Sequence, residues 1–283
     1  MAFIESLVFK PPRPSYRQRD AAYVHVPHHG HMAYRVYESD PDAPSLEMVI
    51  VYSHGNASDI GWKIQSQFCG GLVECLREKN ISARLYAYDY CKYGCSTHED
   101  IEHTKTTCAI ACAEAMYWTA KKSHPSAKMV LLGHSVGTGV TCELAKRLLT
   151  DTHTPSQIEP TVDQIILISA FVSTMSVAAF WLRHFGWADA YDNMAALNTI
   201  ANKKVHTVLI HGRDDPDIPY THSEYLCANY EGTSKVVTVF SGCNHNSIIQ
   251  SREPIERVAL FMASQVHQDR VSASLLDFID DSS

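Results

Sequence analysis

Residues 129–139, Met-Val-Leu-Leu-Gly-His-Ser-Val-Gly-Thr-Gly, constrain the fold of this chain more than any other feature. The first four are apolar and typical of a buried strand. They lead directly into a G-x-S-x-G pattern centred on Ser135, and a helical pattern follows over residues 138–149. This order of strand, sharp turn and helix indicates a nucleophile elbow, in which a serine stands at the apex of the turn.

The glycines around Ser135 give the elbow its physical basis. A residue at the apex of so tight a turn has a strained backbone, which is tolerable only if its neighbours lack bulky side chains. Gly133 and Gly137 supply that room, and we expect Gly139 to leave space where the helix packs on the strand. The alternative is a glycine-rich connection with an incidental serine, but the flanking strand and helix favour the elbow.

Composition bounds the class of protein. A chain of 283 residues, 45% hydrophobic and 19% charged, can bury the core of one large α/β domain. The net charge of −7 argues against a nucleic-acid partner, because a basic excess is needed to neutralise phosphates. The apolar runs are too short to cross a membrane, and the first residues lack the pattern of a secretory signal. We therefore expect a cytoplasmic protein with reduced cysteines.

The periodicity of the chain predicts alternating strands and helices. Strands are expected at 23–26, 33–38, 47–54, 83–88, 129–132, 164–168, 205–210 and 235–240, and helices at 59–79, 100–122, 138–149, 222–230 and 253–268. Asp59 is a candidate cap for the first helix. The expected fold class is therefore α/β, with a mostly parallel central sheet and helices on both faces. The predicted organisation is an N-terminal arm at 1–20, one α/β domain at 21–270 and an acidic, flexible tail at 271–283.

Two loops that directly follow predicted strands carry the partners that a serine nucleophile needs. A serine hydroxyl requires a base to take its proton and an acid to orient that base. The first loop offers three carboxylates, Asp214, Asp215 and Asp217, and the second offers His245. A loop carboxylate or histidine alone has an ordinary structural explanation. The order serine, acid, histidine after an elbow, however, is typical of catalysis on this type of sheet.

Two backbone N–H groups are candidates for an oxyanion hole. One is that of Val136, the residue after the nucleophile. The other is that of Asn56, in the loop His-Gly-Asn-Ala at 54–57 that follows an earlier strand. Gly55 would let this loop approach the serine closely. A simple strand-to-helix turn explains the same loop almost as well if it is considered alone.

Five motifs together resemble the α/β-hydrolase superfamily in their order and spacing. They are His-Gly-Asn-Ala at 54–57, Tyr-Asp-Tyr-x-x-Tyr-Gly at 88–94, Gly-His-Ser-Val-Gly at 133–137, His-Gly-x-x-Asp at 211–215 and Asn-His-Asn at 244–246. They are most similar to those of cytosolic, membrane-associated protein depalmitoylases, and the similarity runs from about residue 9 to 267. The resemblance implies the α/β-hydrolase fold, with Ser135 as nucleophile, Asp215 as acid and His245 as base. Asp214 is the second candidate for the acid.

The chain departs from that subgroup at three places. Lys92 stands where the tyrosine-rich loop normally has glycine, which would put a long cation near the floor of the site. Asn244 replaces the usual glycine before the base, and we expect it to adopt the left-handed conformation that asparagine tolerates. No cysteine precedes Cys69, whereas the subgroup carries an N-terminal cysteine cluster for its own palmitoylation.

The substrate pocket is expected in a short cap insertion at about 170–198. Its aromatic side chains could form an apolar slot over the serine, in which each buried acyl methylene contributes about 0.8 kcal/mol. The alternative, equally supported, is that they only pack the cap on the sheet. The candidates are Phe171, Phe180, Trp181, Phe185 and Trp187.

We expect no cofactor and no metal site. The histidines at 28, 29 and 31 fall in a predicted hairpin turn without a carboxylate pair, and a solvated turn explains them better. Cys91 and Cys95, and likewise Cys108 and Cys112, lack the spacing of zinc knuckles. The apolar and basic residues of the arm could touch a membrane surface, but packing on the domain is favoured over such peripheral contact.

Three functions therefore compete. The first is a serine hydrolase that cleaves an ester or thioester through an acyl-enzyme, with a protein-linked acyl chain among the candidate substrates. The second is a serine peptidase, which would use the same triad. The third is a non-catalytic binding protein of the same fold, which an ordered acid and base disfavour because binding alone needs neither.

Overall fold

A computed structural model describes residues 9–98, 105–151, 158–178, 190–232 and 235–280, with the backbone alone at 178 and 269–280. Eight strands and seven helices lie in these ranges. The strands are β1 (Ala22–Val26), β2 (Gly30–Glu38), β3 (Met48–Ser53), β4 (Ala83–Tyr88), β5 (Lys128–His134), β6 (Gln164–Ile168), β7 (His206–Gly212) and β8 (Lys235–Phe240). The helices are α1 (Lys63–Glu78), α2 (Lys105–Ser123), α3 (Val136–Thr150), α4 (Thr174–Ala178), α5 (Asn193–Thr199), α6 (Thr221–Asn229) and α7 (Arg252–Asp280).

All eight strands form one sheet in the order β1-β2-β4-β3-β5-β6-β7-β8. β2 is antiparallel to β1 and β4, and every other neighbouring pair is parallel. The carboxyl ends of β3, β5, β6, β7 and β8 therefore meet at one edge. The chain passes from β3 outward to β4 and then returns to the other side of β3 to form β5. Loops that follow the strands at such a reversal of strand order converge on a common crevice.

Both faces of the sheet are buried, which explains the continuous apolar runs of its central strands. Successive residues of a strand point to opposite faces, and in β3 Val49 and Ile50 belong to different clusters. Val49 packs in the cluster that includes residues of α2 and α3. Ile50 packs in the cluster that includes residues of α1 and α7. Each helix pair thus covers one side of the sheet.

The first helix begins later than the sequence pattern predicts. α1 starts at Lys63, after Trp62, rather than at Asp59. The Asp59 carboxylate accepts hydrogen bonds from the N–H groups of Gly61 at 3.0 Å and Trp62 at 2.9 Å. It therefore closes a turn that precedes the helix and does not cap it.

The final helix is longer than predicted. The periodic pattern suggested an end near residue 268, whereas α7 continues to Asp280. Most of the segment assigned to a tail is thus helical in its backbone. Among the described residues, no helix combines the length and apolarity needed to span a bilayer.

The described part of the N-terminal arm packs against the domain. Phe9 is 2% exposed, and its ring makes an edge contact with Tyr90. Further along, the Ser15 N–H donates to Asp59 at 2.7 Å, and the Tyr16 hydroxyl donates to Asp89 at 2.5 Å. Residues 9–16 therefore pack on the domain, which was the favoured expectation for the arm. Residues 1–8 lie outside the described ranges.

One pair of cysteines differs from the expected reduced state. Cys91 and Cys108 form a disulfide with their Cα atoms 6.1 Å apart, so the prediction of reduced thiols is wrong for this pair. Sequence spacing could not reveal it, because 17 residues separate the two positions and the fold brings them together. The other seven cysteines are free.

Candidate active site

The turn between β5 and α3 has the geometry of an elbow at Ser135. This residue has φ +54° and ψ −123°, a conformation that non-glycine residues seldom adopt. Its N–H donates to the Ile168 carbonyl at 2.9 Å. A Cβ on Gly137 would collide with the Ser53 carbonyl, and one on Gly133 would lie 2.5 Å from the Gly137 carbonyl oxygen. These two glycines allow α3 to lie against β3 and β5.

Gly139 makes room for a different neighbour than expected. A Cβ there would lie 2.5 Å from the ring of Tyr191, not against the strand. Tyr191 precedes α5, on the carboxyl-terminal side of the cap insertion, and it is 4% exposed. The missing side chain therefore seats the cap on α3.

Ser135, His245 and Asp215 form one hydrogen-bonded chain. Ser135 Oγ lies 2.9 Å from Nε2 of His245, and Nδ1 of His245 lies 2.7 Å from Oδ2 of Asp215. An ionised carboxylate can only accept, so Nδ1 carries the proton and Nε2 is left to accept from the serine hydroxyl. The fold thus brings together three residues from the loops after β5, β7 and β8.

The three carboxylates of the β7 loop have different partners. Asp215 is 7% exposed, and its Oδ1 accepts from the N–H groups of Asp217 and Ile218, both at 2.9 Å. Asp214 is exposed, and its Oδ2 accepts from the Gly242 N–H at 2.8 Å. Asp217 is exposed at the mouth of the site. Among these three, Asp215 is the one whose carboxylate contacts His245.

His211 also belongs to the site. It is the first residue of the His-Gly-x-x-Asp motif, but sequence analysis assigned it no role. Its ring is buried, with Nε2 2.8 Å from the Ile218 carbonyl and 3.3 Å from Oδ2 of Asp215. Because the carbonyl accepts, Nε2 carries a proton, and Nδ1 accepts from the Ser223 hydroxyl at 2.7 Å. His211 and His245 therefore both contact Oδ2 of Asp215, and together they fix the position of the carboxylate. Its place four residues before Asp215 was the available signal.

These donors determine the charge of Asp215. Burial by itself raises the pKa of a carboxyl group. Hydrogen bonds from His211, His245 and the Ile218 N–H outweigh burial, so the pKa of Asp215 is held well below its ordinary value. The group is a carboxylate at neutral pH and can stabilise positive charge on His245.

His134 is a neutral neighbour of the base. Burial, and secondarily the adjacent His245, lower the pKa of His134 to about 3. Its Nε2 lies 3.1 Å from the His245 carbonyl oxygen, to which it donates. A second imidazole therefore stands beside the base without contributing a competing positive charge near neutral pH.

The two predicted oxyanion donors belong to different elements next to Ser135. Val136 is the first residue of α3, where the backbone N–H groups have no partner within the helix. A Cβ on Gly55 would lie 3.4 Å from Cβ of Ser135, so the 54–57 loop touches the nucleophile. Asn56 lines the same cleft. The candidate donors thus reach the reaction centre from two separate elements.

A layer of tyrosine and carboxylate groups supports the 54–57 loop. Oδ1 of Asn56 accepts from the Tyr93 hydroxyl at 2.8 Å. The Tyr90 hydroxyl donates to the His54 carbonyl at 2.6 Å. Nε2 of His54 lies 3.2 Å from the fully buried carboxylate of Asp89. The Tyr-Asp-Tyr-x-x-Tyr segment therefore holds the loop, a role that its sequence did not reveal.

The cleft above Ser135 has a volume of about 320 Å³. Most of its lining residues are of polar type, and Trp62, which is 38% exposed, supplies an apolar surface that sequence analysis missed. Phe171 is 3% exposed, packs in the core and is not among the lining residues. The other predicted pocket residues, Phe180, Trp181, Phe185 and Trp187, lie outside the described residues. The lining residues are Gly55, Asn56, Ala57, Ser58, Trp62, Gln65, His134, Ser135, Asp217, His245 and Asn246.

Two departures from the family pattern are accommodated locally. Lys92 has φ +68° and is exposed, so it takes the glycine conformation without placing its cation on the floor of the site. Asn244 is not left-handed, contrary to expectation; in that loop Gly242 has the positive φ, +75°. The Asn244 side chain instead accepts from the N–H groups of Asn246 at 3.1 Å and Ser247 at 2.9 Å.

Comparison with known sequences identifies related proteins. The chain is 25% identical over 232 residues to alpha/beta hydrolase domain-containing protein aho-3 of Caenorhabditis elegans, a match that covers 82% of this chain and 62% of that one. It is 25% identical over 226 residues to alpha/beta hydrolase domain-containing protein 17C of Mus musculus, covering 79% and 62%. The chain thus spans less than two thirds of these homologues. No protein-family model matches it.

Comparison with solved structures confirms the predicted fold. An esterase of Pyrococcus furiosus superposes with a TM-score of 0.65 at 14% identity, covering 92% of this chain and 98% of the esterase. Est1E from Butyrivibrio proteoclasticus, solved with ferulic acid bound, gives a TM-score of 0.63 at 17% identity, covering 87% and 100%. These structural similarities establish the α/β-hydrolase fold. The two homologues identified by sequence are likewise named alpha/beta hydrolase domain-containing proteins.

Proposed function

We propose that this member of the α/β-hydrolase superfamily is a serine hydrolase that cleaves an ester or thioester through an acyl-enzyme. The observation that carries the proposal is the continuous chain from Ser135 through His245 to Asp215, with contacts of 2.9 and 2.7 Å. A scaffold or binding protein has no need of a serine in a strained turn opposite an oriented imidazole.

The chemistry follows from the order of these contacts. Nε2 of His245 takes the proton of Ser135 as Oγ attacks the substrate carbonyl, and Asp215 stabilises the imidazolium that forms. His245 then donates this proton to the leaving alcohol or thiol as the acyl-enzyme forms. Water attacks the acyl-enzyme with His245 again as base, which releases the acid and restores the serine.

The oxyanion of each tetrahedral intermediate is assigned to the N–H groups of Asn56 and Val136. Such donors are worth roughly 3 kcal/mol each in transition-state stabilisation when they are held in place. The contacts from Tyr90 and Tyr93 to the 54–57 loop support that role, because a preorganised donor costs no rearrangement during the reaction.

The substrate class we favour is an acyl ester or thioester with its acyl chain along Trp62. A half-exposed indole beside a catalytic serine can bury methylenes, each contributing about 0.8 kcal/mol. A protein-linked acyl thioester, the substrate class of the depalmitoylase subgroup that the motifs resemble, is the leading candidate. This choice is supported by the resemblance of the motifs and by the apolar surface of Trp62 in the cleft.

A fluorophosphonate probe tests the nucleophile directly. Wild-type protein should be labelled at Ser135, and Ser135→Ala should abolish labelling. Ser66→Ala, at a half-buried position on α1, is the matched control and should react like wild type. Labelling that persists in Ser135→Ala, or a wild type that stays unlabelled while a control hydrolase reacts, would refute the proposal.

Substrate class is tested with one series of compounds. Acyl thioesters and p-nitrophenyl esters of increasing chain length are compared with aminoacyl amides, with Ser135→Ala as the blank. We expect thioester and ester turnover, and a rise in kcat/KM with chain length until the apolar surface of Trp62 is covered. Preferential turnover of the amides would identify a peptidase instead, and a flat chain-length profile would remove Trp62 from the model of binding.

A further inference from the structure

We propose that His29, Cys91, His98 and Cys108 form a zinc-binding site when the two cysteines are reduced. One ligand atom from each of the four side chains lies within 4.8 Å of all the others. Two cysteine sulfurs and two imidazole nitrogens are the donor set of a structural zinc centre. The site is separate from the proposed triad and takes no part in its chemistry.

Three parts of the fold bring these residues together. His29 lies in the turn between β1 and β2, and its N–H donates to the Val26 carbonyl at 2.9 Å. Cys91 and His98 come from the loop after β4, and Cys108 lies in the first turn of α2. Their separation along the chain explains why the spacing of the cysteines alone did not suggest a metal.

The loop that carries His98 is fastened to the hairpin that carries His29. The Thr97 N–H donates to the His31 carbonyl at 2.8 Å, and the His31 N–H donates to Oγ1 of Thr97 at 2.8 Å. The two imidazole rings are stacked with centroids 6.5 Å apart. This pairing holds the two rings next to each other.

The distances fit a metal better than they fit a disulfide alone. A disulfide between Cys91 and Cys108 explains why two sulfurs meet, but it gives no reason for two imidazoles to converge on them. Nδ1 of His98 lies 3.6 Å from Sγ of Cys108. Ligand atoms at tetrahedral zinc are about 3.3–3.8 Å apart, as Zn–S and Zn–N bond lengths require.

Charge and burial also agree with zinc. His29 and Cys108 are buried, and Cys91 and His98 are half-buried. Two thiolates, two neutral imidazoles and one Zn²⁺ sum to zero charge, which a partly buried site can hold without an unpaired ion. A buried thiol of Cys112 lies 3.5 Å from Sγ of Cys91 and can donate to it.

The disulfide is the oxidised, metal-free state of the same site. Its reduction by a thiol or phosphine reductant takes two electrons and two protons and leaves two thiols. Zinc then displaces the two thiol protons and binds both sulfurs, which move apart from bonding distance to the separation of neighbouring ligands. Either state ties the loop after β4 to α2.

Cys91 belongs to the segment that supports the proposed oxyanion loop. Cys91 lies between Tyr90, which holds the His54 carbonyl, and Tyr93, which holds the Asn56 side chain. A metal or disulfide at Cys91 therefore restrains the segment that supports both donors. Reduced protein without metal should lose that restraint.

Cobalt titration of the 283-residue chain tests the site, since Co²⁺ replaces zinc and reports its ligands by absorption. The protein is reduced with a phosphine under argon, freed of reductant and titrated with Co²⁺. We expect about one equivalent to bind, with tetrahedral d–d bands and a thiolate-to-cobalt charge-transfer band. Zn²⁺ should bleach these bands. The cluster of Asp215, Asp217 and His245 lacks sulfur and cannot produce the charge-transfer band.

Single variants assign the ligands. Cys91→Ser leaves one thiolate at the ion and should markedly weaken the charge-transfer band. His29→Ala and His98→Ala each remove a ligand. Each should weaken Co²⁺ binding by at least the roughly 10- to 100-fold that follows loss of a ligand's hydrogen-bond partner. Cys227→Ser, a half-buried cysteine on α6, is the control and should bind as wild type. Because the disulfide form of each histidine variant needs no metal, its thermal melting shows whether the variant folds.

Two results would overturn the proposal. One is a reduced wild-type protein that shows no thiolate-to-cobalt band. The other is a wild-type affinity for Co²⁺ in both histidine variants when both fold. That result would mean that neither His29 nor His98 binds the ion. Oxidised wild-type protein should show no band and should regain it on reduction.

Discussion

Tyr93 and Asn56 are joined by a hydrogen bond of 2.8 Å, from the tyrosine hydroxyl to Oδ1 of the asparagine. The N–H groups of Lys10 and Ala57 donate to the same oxygen, each at 2.8 Å. The side-chain oxygen of Asn56 thus accepts three hydrogen bonds that hold its own loop. In the proposed mechanism Asn56 therefore acts through its backbone N–H, and the tyrosine loop and the N-terminal arm set where that N–H points.

Removing the hydroxyl of Tyr93 should slow turnover more than it weakens binding. A net hydrogen bond contributes about 1 kcal/mol, so Tyr93→Phe should lower kcat by roughly fivefold if the loss appears in the transition state. KM should change little, because the oxyanion forms only during reaction. Steady-state kinetics on a p-nitrophenyl ester measure both constants.

Tyr117→Phe is the matched control for this change. On α2 and away from the cleft, the Tyr117 hydroxyl donates to the Thr161 carbonyl and accepts from the Thr161 N–H, both at 2.8 Å. This variant should lose at least as much stability and keep its kcat. Equal kcat values in the two variants would show that the Tyr93 contact does not position the oxyanion loop.

Asp215→Asn and Asp214→Asn make the same chemical change at adjacent positions with different partners. Asp215 contacts His245, whereas Asp214 contacts the Gly242 N–H. Asp215→Asn should lower kcat by roughly 10⁴-fold, because the amide no longer favours the tautomer with Nδ1 protonated. Asp214→Asn should stay within a few-fold of wild type. The opposite ranking in kcat would make Asp214 the acid.

Sequence patterns predicted most of the fold, because both periodicity and turn chemistry are local. The strands at 83–88, 164–168 and 235–240 agree with β4, β6 and β8 in both bounds. The start of α1 was missed because Asp59 is held by Ser15, a contact between residues 44 positions apart. Local capping rules contain no information about such a partner.

Prediction of the site from sequence was limited for the same reason, namely contacts between residues far apart in the chain. Ser135, Asp215 and His245 could be selected because each lies in the turn or loop after a strand, and parallel strands place such residues at one edge. His211 and Trp62 were missed, because their roles depend on what faces them across the cleft. The Cys91–Cys108 disulfide likewise joins two segments that only the folded sheet brings together.

Two helical glycines should respond oppositely to the same substitution. A Cβ at Gly139 would lie 2.5 Å from the Tyr191 ring, whereas a Cβ at Gly70 would meet nothing within 4 Å. Gly139→Ala should destabilise the protein by about 1–3 kcal/mol through overpacking. Gly70→Ala should stabilise it by about 0.5–1 kcal/mol, because alanine loses less backbone entropy in a helix. Urea denaturation gives both free energies of unfolding.

The double variant Gly139→Ala with Tyr191→Ala checks the cause. If the clash with the ring explains the destabilisation, the added methyl should cost much less once the ring is gone. A cost at Gly139 that is unchanged in the Tyr191→Ala background would place the strain elsewhere in the turn.

His134 should make the protein less stable as the pH falls below about 6.5. Its pKa is about 3 in the folded protein, against about 6.5 in an unfolded chain. Between these two pH values His134 binds a proton in the unfolded state but not in the folded state. The free energy of unfolding therefore decreases as the pH is lowered, by up to roughly 1.4 kcal/mol per pH unit. Protonation is resisted because Nδ1 is buried and has no hydrogen-bond partner in the described structure.

The variant His134→Gln isolates this contribution. Glutamine keeps a donor for the His245 carbonyl but does not titrate, so its unfolding free energy should decline less steeply than that of wild type between pH 6.5 and 4.5. Asp215, whose pKa is also depressed, works in the same direction, but its stabilisation is lost only below about pH 4. Urea denaturation at half-unit pH steps gives both slopes. If the unfolding free energies of the two proteins change with pH in parallel, His134 binds its proton equally well in the folded and unfolded states.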